Sequence, residues 1–288
     1  MALILSKEDG NHFHPPLFAQ AAECEADYHQ IKSLPHPFAI ATHSWAQIQK
    51  SLKVVLDTFD AASAEPSGAS ERPAFDSLLD AYKVFVYANS EFSEAIIEKI
   101  PACFCASGQK IAKAQGAQTL RRHADLVCNK LKHNQNRLIA VEAFGALARV
   151  LGYSVYSFDR KGALCPNPEI HSDRRAFSFA TDIRLILANT YFLASAVGEI
   201  ITMNRNGVRS PPAKFEKSQA LQDLLMRVSA LPTTGFDWEA KKFMPHFGFD
   251  ESVLEIKARG GEFTRLPGQN RVAVRFEGDG ITREFRLV

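Results

Sequence analysis

The chain has 288 residues, 34 lysine and arginine against 32 aspartate and glutamate, and is 46% apolar. That is the composition of a globular protein with a sizeable core, and it argues against a disordered or fibrous chain. No segment repeats at a fixed period, which argues against a solenoid. Five cysteines, Cys24, Cys103, Cys105, Cys128 and Cys165, form an odd, scattered set. The opening Met1–Leu5 is too short an apolar run for a signal peptide or a membrane span, so a reducing, cytoplasmic setting is expected.

Residues 1–40 are rich in His, Pro and Phe and are expected to lie extended on the body. His12 and His14 would point to one side of such a segment, but no cysteine or carboxylate cluster accompanies them, so packing or surface roles are expected. The spacing of Trp45, Ile48, Leu52, Val55, Leu56 and Phe59 predicts a helix over Ser44–Asp60. A small, polar loop through Pro73 ends it. Phe75, Leu78, Leu79, Tyr82, Phe85, Val86, Phe92, Ile96 and Ile100 then form the core stripe of a second helix, stopped by Pro101.

A third helix is expected from Ala117 to about Ala143. After it, residues 151–158, the turn Asp159–Gly162 and Ala163–Cys165 read as a β-hairpin. Phe177–Asn204 is apolar nearly all round. Asn189, Thr190, Ser195 and Glu199 interrupt its run from Leu185 to Met203, which suits a buried core helix better than a membrane span. A basic Gly/Pro linker and a short helix near Lys217–Ala230 follow, and a three- or four-stranded antiparallel meander is expected from about Phe236. Arg271, Arg275, Arg283 and Glu284 would occupy its wet face.

The near-neutral total conceals a local imbalance. Between Lys99 and Arg137 stand eight basic residues and one acid, Asp125, a balance of +7; the remainder, 26 basic against 31 acidic, sums to −5. Such a concentration suits a phosphate backbone or a solvated helix face. Wound as a helix, Leu120, Ala124, Val127, Leu131 and Leu138 share one side. Arg122, Asp125, Asn129, His133 and Asn136 share the other, within about 80° of one another. An imidazole can exchange a proton near neutral pH, and flanking amide and cationic donors can hold a phosphate oxygen.

Cys128-Asn129-Lys130-Leu131-Lys132-His133 resembles the Arg-Asn-x-x-x-His motif of HEPN domains, helical bundles that include metal-independent endoribonucleases of toxin–antitoxin and phage-defence systems. Asn129 and His133 keep the register, and Cys128 stands where the motif has Arg; the segment also satisfies an Asn-x-x-Lys-His form. The resemblance covers about residues 41–204. It implies His133 as general acid or base, Asn129 orienting it or the phosphate, and Lys132 supplying charge. Arg122, Lys130, Asn136 and Arg137 would contact nucleic acid. It further implies RNA as partner, a homodimer that joins two motif helices, and a protein partner in a defence or toxin–antitoxin module.

A zinc site from Cys103, Cys105, His123 and Cys128 is disfavoured because His123 and Cys128 point apart on a helix. No nucleotide-binding Gly loop, His-Glu-x-x-His or Gly-x-Ser-x-Gly is present, and neither cofactor, metal nor membrane is expected. The expected class is α+β: an extended segment over 1–40, a helical domain with an inserted hairpin over 41–204, a linker and short helix over 205–235, and a β region over 236–288. The competing reading is a non-catalytic interaction subunit that holds a protein or nucleic acid through the basic helix and the C-terminal sheet.

Overall fold

The structure is a computed structural model that describes residues 2–6, 12–18, 37–66, 72–99, 117–133, 136–144, 149–171, 176–204, 218–236, 239, 245–250, 253–257, 261–265, 272–276 and 283–286. Its class is α+β, helices packed with antiparallel sheets. Two long helices open the body: α1, Pro37–Ala64, and α2, Pro73–Glu94. Each begins on a proline, whose fixed φ suits the first helical turn. The onset at Pro37 lies upstream of the expected Ser44. Past α2 the chain widens into a π-turn over Ala95–Lys99.

Helix α3 spans Ala117–His133 and packs on α2. It does not continue to Ala143: Arg137–Phe144 is a strand, β2, paired along its whole length with β3, Arg149–Phe158. Leu138 fits both the apolar stripe of a helix and the inward side of a strand, so periodicity could not separate the two. The Asn136 side-chain amide donates to the Lys130 carbonyl at 2.8 Å and caps the last turn of α3. The expected hairpin is present as β3 and β4, Leu164–Pro166. A four-residue helix α4, Pro168–His171, leads on towards β5, Phe177–Ser178, which also pairs with β3. Gly152 on β3 is required by close packing, since a Cβ there would fall 2.4 Å from the Phe177 carbonyl and from the Phe236 ring.

The apolar helix α5, Phe179–Asn204, runs through the core, with Ile183, Leu187, Tyr191 and Leu193 buried. No helix among the described residues is long and apolar enough to cross a membrane. Helix α6, Gln219–Ala230, is capped by Ser218, whose hydroxyl accepts from the Leu221 amide. Its C-terminal end is closed from another element. Arg184 on α5 is 4% exposed and donates to the carbonyls of Pro232 at 2.8 Å, Ser229 at 3.3 Å and Leu231. A cation there meets both the orphan carbonyls and the negative end of the helix dipole. Burial lowers its pKa to about 10, which leaves it charged at neutral pH.

The C-terminal strands form two antiparallel sheets. One is ordered β1–β7–β6, where β1 is Ala2–Ser6, β6 His246–Phe249 and β7 Val253–Lys257, so the third strand comes from the other end of the chain. The other joins β8, Gly261–Arg265, β9, Val272–Phe276, and β10, Arg283–Arg286. In its register Arg275 stands opposite Glu262 on one side and Glu284 on the other. Near the N-terminus Phe13 is fully buried at φ 69°, its carbonyl accepting from the Tyr191 hydroxyl at 2.7 Å and its ring edge-on to Phe249. A positive φ at Phe costs roughly 1–3 kcal/mol, and burial of the ring, worth about as much, offsets it. His14 Nδ1 accepts from the Trp45 indole at 3.2 Å, a packing role as expected.

Four half-buried charges tie α1, α2 and the β2–β3 pair together. Glu142 bridges Arg72, at 2.5 Å, and Arg149, while Glu65 takes the amide of Ala74 at 3.0 Å and Arg72 lies over the Phe75 ring.

Arg184→Ala should lower unfolding free energy by about 2–3 kcal/mol, because several charge-assisted bonds to buried carbonyls are lost at once. Urea denaturation followed by circular dichroism at pH 7 checks it, and an unchanged midpoint would refute the capping role.

Candidate functional site

Helix α3 has two chemically different sides, and the buried one is built around a carboxylate. Asp182, in the first turn of α5, is fully enclosed. Its Oδ2 accepts from the hydroxyls of Tyr82 on α2 and Tyr153 on β3, the latter at 2.7 Å, and its Oδ1 lies 2.8 Å from His123 Nε2 on α3. The two phenol oxygens are themselves 2.7 Å apart. With two phenolic protons shared among three oxygens, both are drawn to the carboxylate, the strongest acceptor. Burial pushes the Asp182 carboxyl up, but the His123 charge and the His123, Tyr153 and Tyr82 donors outweigh it and hold the group below its ordinary value. Burial, with the Asp182 charge, drives both tyrosines well above theirs.

His171 extends this cluster without sharing its charge. It is 1% exposed, stacks on Phe177, and its Nε2 accepts from the Val155 amide at 2.8 Å. That bond fixes the neutral, Nδ1-protonated tautomer, since a proton on Nε2 would abolish the acceptor. Burial first, then the His123 charge, lowers its pKa to about 4. Nearby, Glu239 accepts from the amides of Ser178 at 2.7 Å and Phe236 at 2.8 Å, which places a carboxylate at the N-terminal end of α5. Burial raises its pKa.

This polar interior is packed on all sides, and His123, edge-on to Phe177, is its most exposed member. The cluster orients four elements, α2, α3, α5 and β3, and fixes protonation states. Tyr82 was expected only as part of an apolar core stripe, and Tyr153, Asp182, His171 and Arg184 were not singled out from the sequence.

The other side of α3 carries the residues singled out by sequence. Arg122, Asn129 and Lys132 are exposed, as is Arg137 at the start of β2. Among the described residues neither Arg122 nor Arg137 has an acidic partner. Lys130 pairs with Glu169 on α4 at 2.8 Å, and the Lys132 ammonium sits 4.7 Å from the centre of the Tyr87 ring. Asp125 does not join the open strip; it turns to Arg121 and to Ser90, whose hydroxyl donates to it at 2.8 Å. Asn136 lies beyond the helix as its cap. His133 is the last residue of α3, four positions after Asn129. Cys128 faces inward, 2% exposed, and burial raises its thiol pKa.

Of the zinc set, Cys103 and Cys105 lie outside the described residues. Among those described no group of three or more His, Cys, Asp and Glu is placed to hold a metal.

Two outcomes follow from the buried cluster. Asp182→Asn should destabilise by about 3–5 kcal/mol, because it strands the His123 charge and removes an acceptor from two buried hydroxyls. The lowered His171 pKa favours the unprotonated fold, so stability is complete above about pH 6.5 and falls as pH drops towards 4. Denaturation midpoints from pH 7 to 4.5 should show a loss of roughly 2–3 kcal/mol that His171→Gln flattens. The Asp182 contribution begins to fall only as pH drops through the ordinary carboxylate range and is gone below its own depressed pKa, which places it at lower pH than the His171 loss.

Compared with family models, curated proteins and solved structures, the chain finds no match in any of the three.

Proposed function

We propose that this chain is an RNA-directed, HEPN-like protein whose outward face of α3 meets the phosphate backbone, and that it binds RNA rather than cleaving it. The observation that carries the reading is the pairing of a rigidly anchored helix with open cations. Arg122 and Arg137 are exposed without acidic partners among the described residues, beside the exposed amide of Asn129. Cations left unpaired on a fixed element are available to phosphate, and the guanidinium fork matches its oxygens.

Binding is preferred to cleavage because of position 128. Where the resembled motif supplies a guanidinium, this chain has a buried thiol, and the neighbouring Lys132 is held over Tyr87. The charge on the phosphoryl oxygens in a transition state would lack the bidentate partner that the motif supplies at this position.

The test uses fluorescence anisotropy with a labelled mixed-sequence single-stranded RNA at 50 and 200 mM salt, with a parallel incubation in EDTA resolved on a denaturing gel. Affinity should fall with salt, and Arg122→Ala or Arg137→Ala should each reduce the slope of log affinity against log salt by about 0.7. No His133-dependent cleavage is expected. Cleavage by the wild type that His133→Ala abolishes would replace binding with catalysis; salt-insensitive or absent binding would reject the RNA reading.

A further inference from the structure

The tip of the β3–β4 hairpin is built against the ordinary logic of a surface turn. On β3, Tyr153 and Val155 face the core, so Gly152, Ser154, Tyr156 and Phe158 face outward. The inner half of that outward row is covered: Gly152 by Phe236 and the Phe177 carbonyl, Ser154 by His171. Beyond it the covering stops. Tyr156 is half-buried and Phe158 is 72% exposed, with Leu164 directly opposite Phe158 and 49% exposed. Pro166 stands opposite Tyr156 on the same side, and Arg137 stands opposite it on the other. Directly opposed residues present their side chains on one face, so Arg137, Tyr156, Phe158 and Leu164 form a continuous apolar and cationic strip.

A single exposed Phe needs no explanation. This one is held on a stiff support. Asp159 Oδ1 accepts from the amides of Lys161 and Ala163, each at 2.8 Å, its own amide donates to the Ala163 carbonyl, and Gly162 adopts φ +78° to close the turn. Asp159 is the acid of the turn, and its carboxylate is engaged with backbone donors, while Arg160 and Lys161 beside it are exposed. The backbone that carries Phe158 is thus held by the turn, with Arg137 opposite Tyr156 two residues before it and Arg160 and Lys161 directly after it.

We infer that this strip is a base-stacking platform for single-stranded RNA. The inference rests on the reading of α3 as an RNA-facing helix and names the strandedness of its ligand. Two-residue spacing along a strand sets the Tyr156 and Phe158 positions about 6–7 Å apart, a separation that lets successive splayed bases each meet a ring. Bases in a duplex are already stacked on one another and cannot do so, whereas exposed aromatics flanked by cations are the sequence-tolerant way to hold an unpaired strand. Arg137, Arg160 and Lys161 supply the charge complementary to its phosphates. The platform is continuous with α3: Arg137 opens β2 directly after Asn136, which caps α3, and Lys130 of the same turn is tied to α4 through Glu169.

The experiment measures anisotropy of a labelled single-stranded RNA, and of the same strand annealed to its complement, against the full chain. The variants are Phe158→Ala, Phe158→Trp and, as a control on the helix, Arg122→Ala. Loss of one stacked base should weaken single-strand binding roughly 5- to 150-fold in Phe158→Ala, while Phe158→Trp retains it and the duplex binds weakly and indifferently to either change. Phe158 is 72% exposed, so circular dichroism should show both variants folded. Undiminished single-strand binding by Phe158→Ala alongside a loss in Arg122→Ala would overturn the platform and leave RNA binding through α3 intact. Absence of any RNA binding would overturn both. Phe158-dependent self-association in sedimentation velocity, or Phe158-dependent binding to phosphatidylcholine–phosphatidylserine vesicles, without Phe158-dependent RNA binding, would assign the tip to a second copy of the chain or to a lipid surface and overturn the inference.

Discussion

A single buried carboxylate, Asp182, fixes how the centre of this protein is assembled. Placing a charge out of water costs several kcal/mol unless donors replace the lost hydration. Here the donors come from three further elements: Tyr82 from α2, Tyr153 from β3 and His123 from α3. Their separation in sequence is what gives the cluster its leverage. Non-directional apolar contact would permit α2, α3, α5 and β3 to slide against one another. A carboxylate with both oxygens engaged does not, because each displacement leaves a buried polar group unmet.

The same principle recurs around α5. Arg184, one turn-half beyond Asp182, closes the carbonyl end of α6, and Glu239 closes the amide end of α5 itself. Each charge sits where the backbone leaves orphan groups of opposite polarity. The apolar core supplies the bulk of the driving force, as in any domain of this size. The buried charges select one arrangement of that core from the many that would bury similar area.

For α3 the consequence is a helix held from behind and open in front. His123, Ala124, Val127 and Cys128 commit its inner side, and Arg121 and Asp125 neutralise each other at its edge. Much of the local basic excess is thereby absorbed by partners: Arg121 by Asp125 and Glu98, Lys130 by Glu169, Lys132 by the Tyr87 ring. Among the described residues, what remains outward is smaller and more specific than the raw charge, a pair of arginines and an amide next to an aromatic hairpin tip. That reduction is why the functional reading rests on particular side chains and not on the net charge of the segment.

Local physics made several elements legible from sequence. The stripes of α1 and α2, the all-round apolar character of α5, the Asp159–Gly162 turn and the short helix near Lys217–Ala230 are properties of residues near one another in the chain. So was the outward placing of Arg122 and Asn129 on α3, because helical winding alone decides which residues share a side. Tertiary structure decided what winding cannot. It ended α3 at His133 by giving residues 137–144 a strand partner, since Leu138 satisfies either periodicity. It turned Asp125 inward to Ser90 and Arg121, and it brought β1 from the N-terminus to β7. An aspartate and an arginine two residues apart in an apolar helix were a visible sign that buried charge awaited partners. The partners themselves, 100 positions away at Tyr82 and nearly 50 away at Pro232, are chosen by packing, and a linear pattern holds no record of that choice.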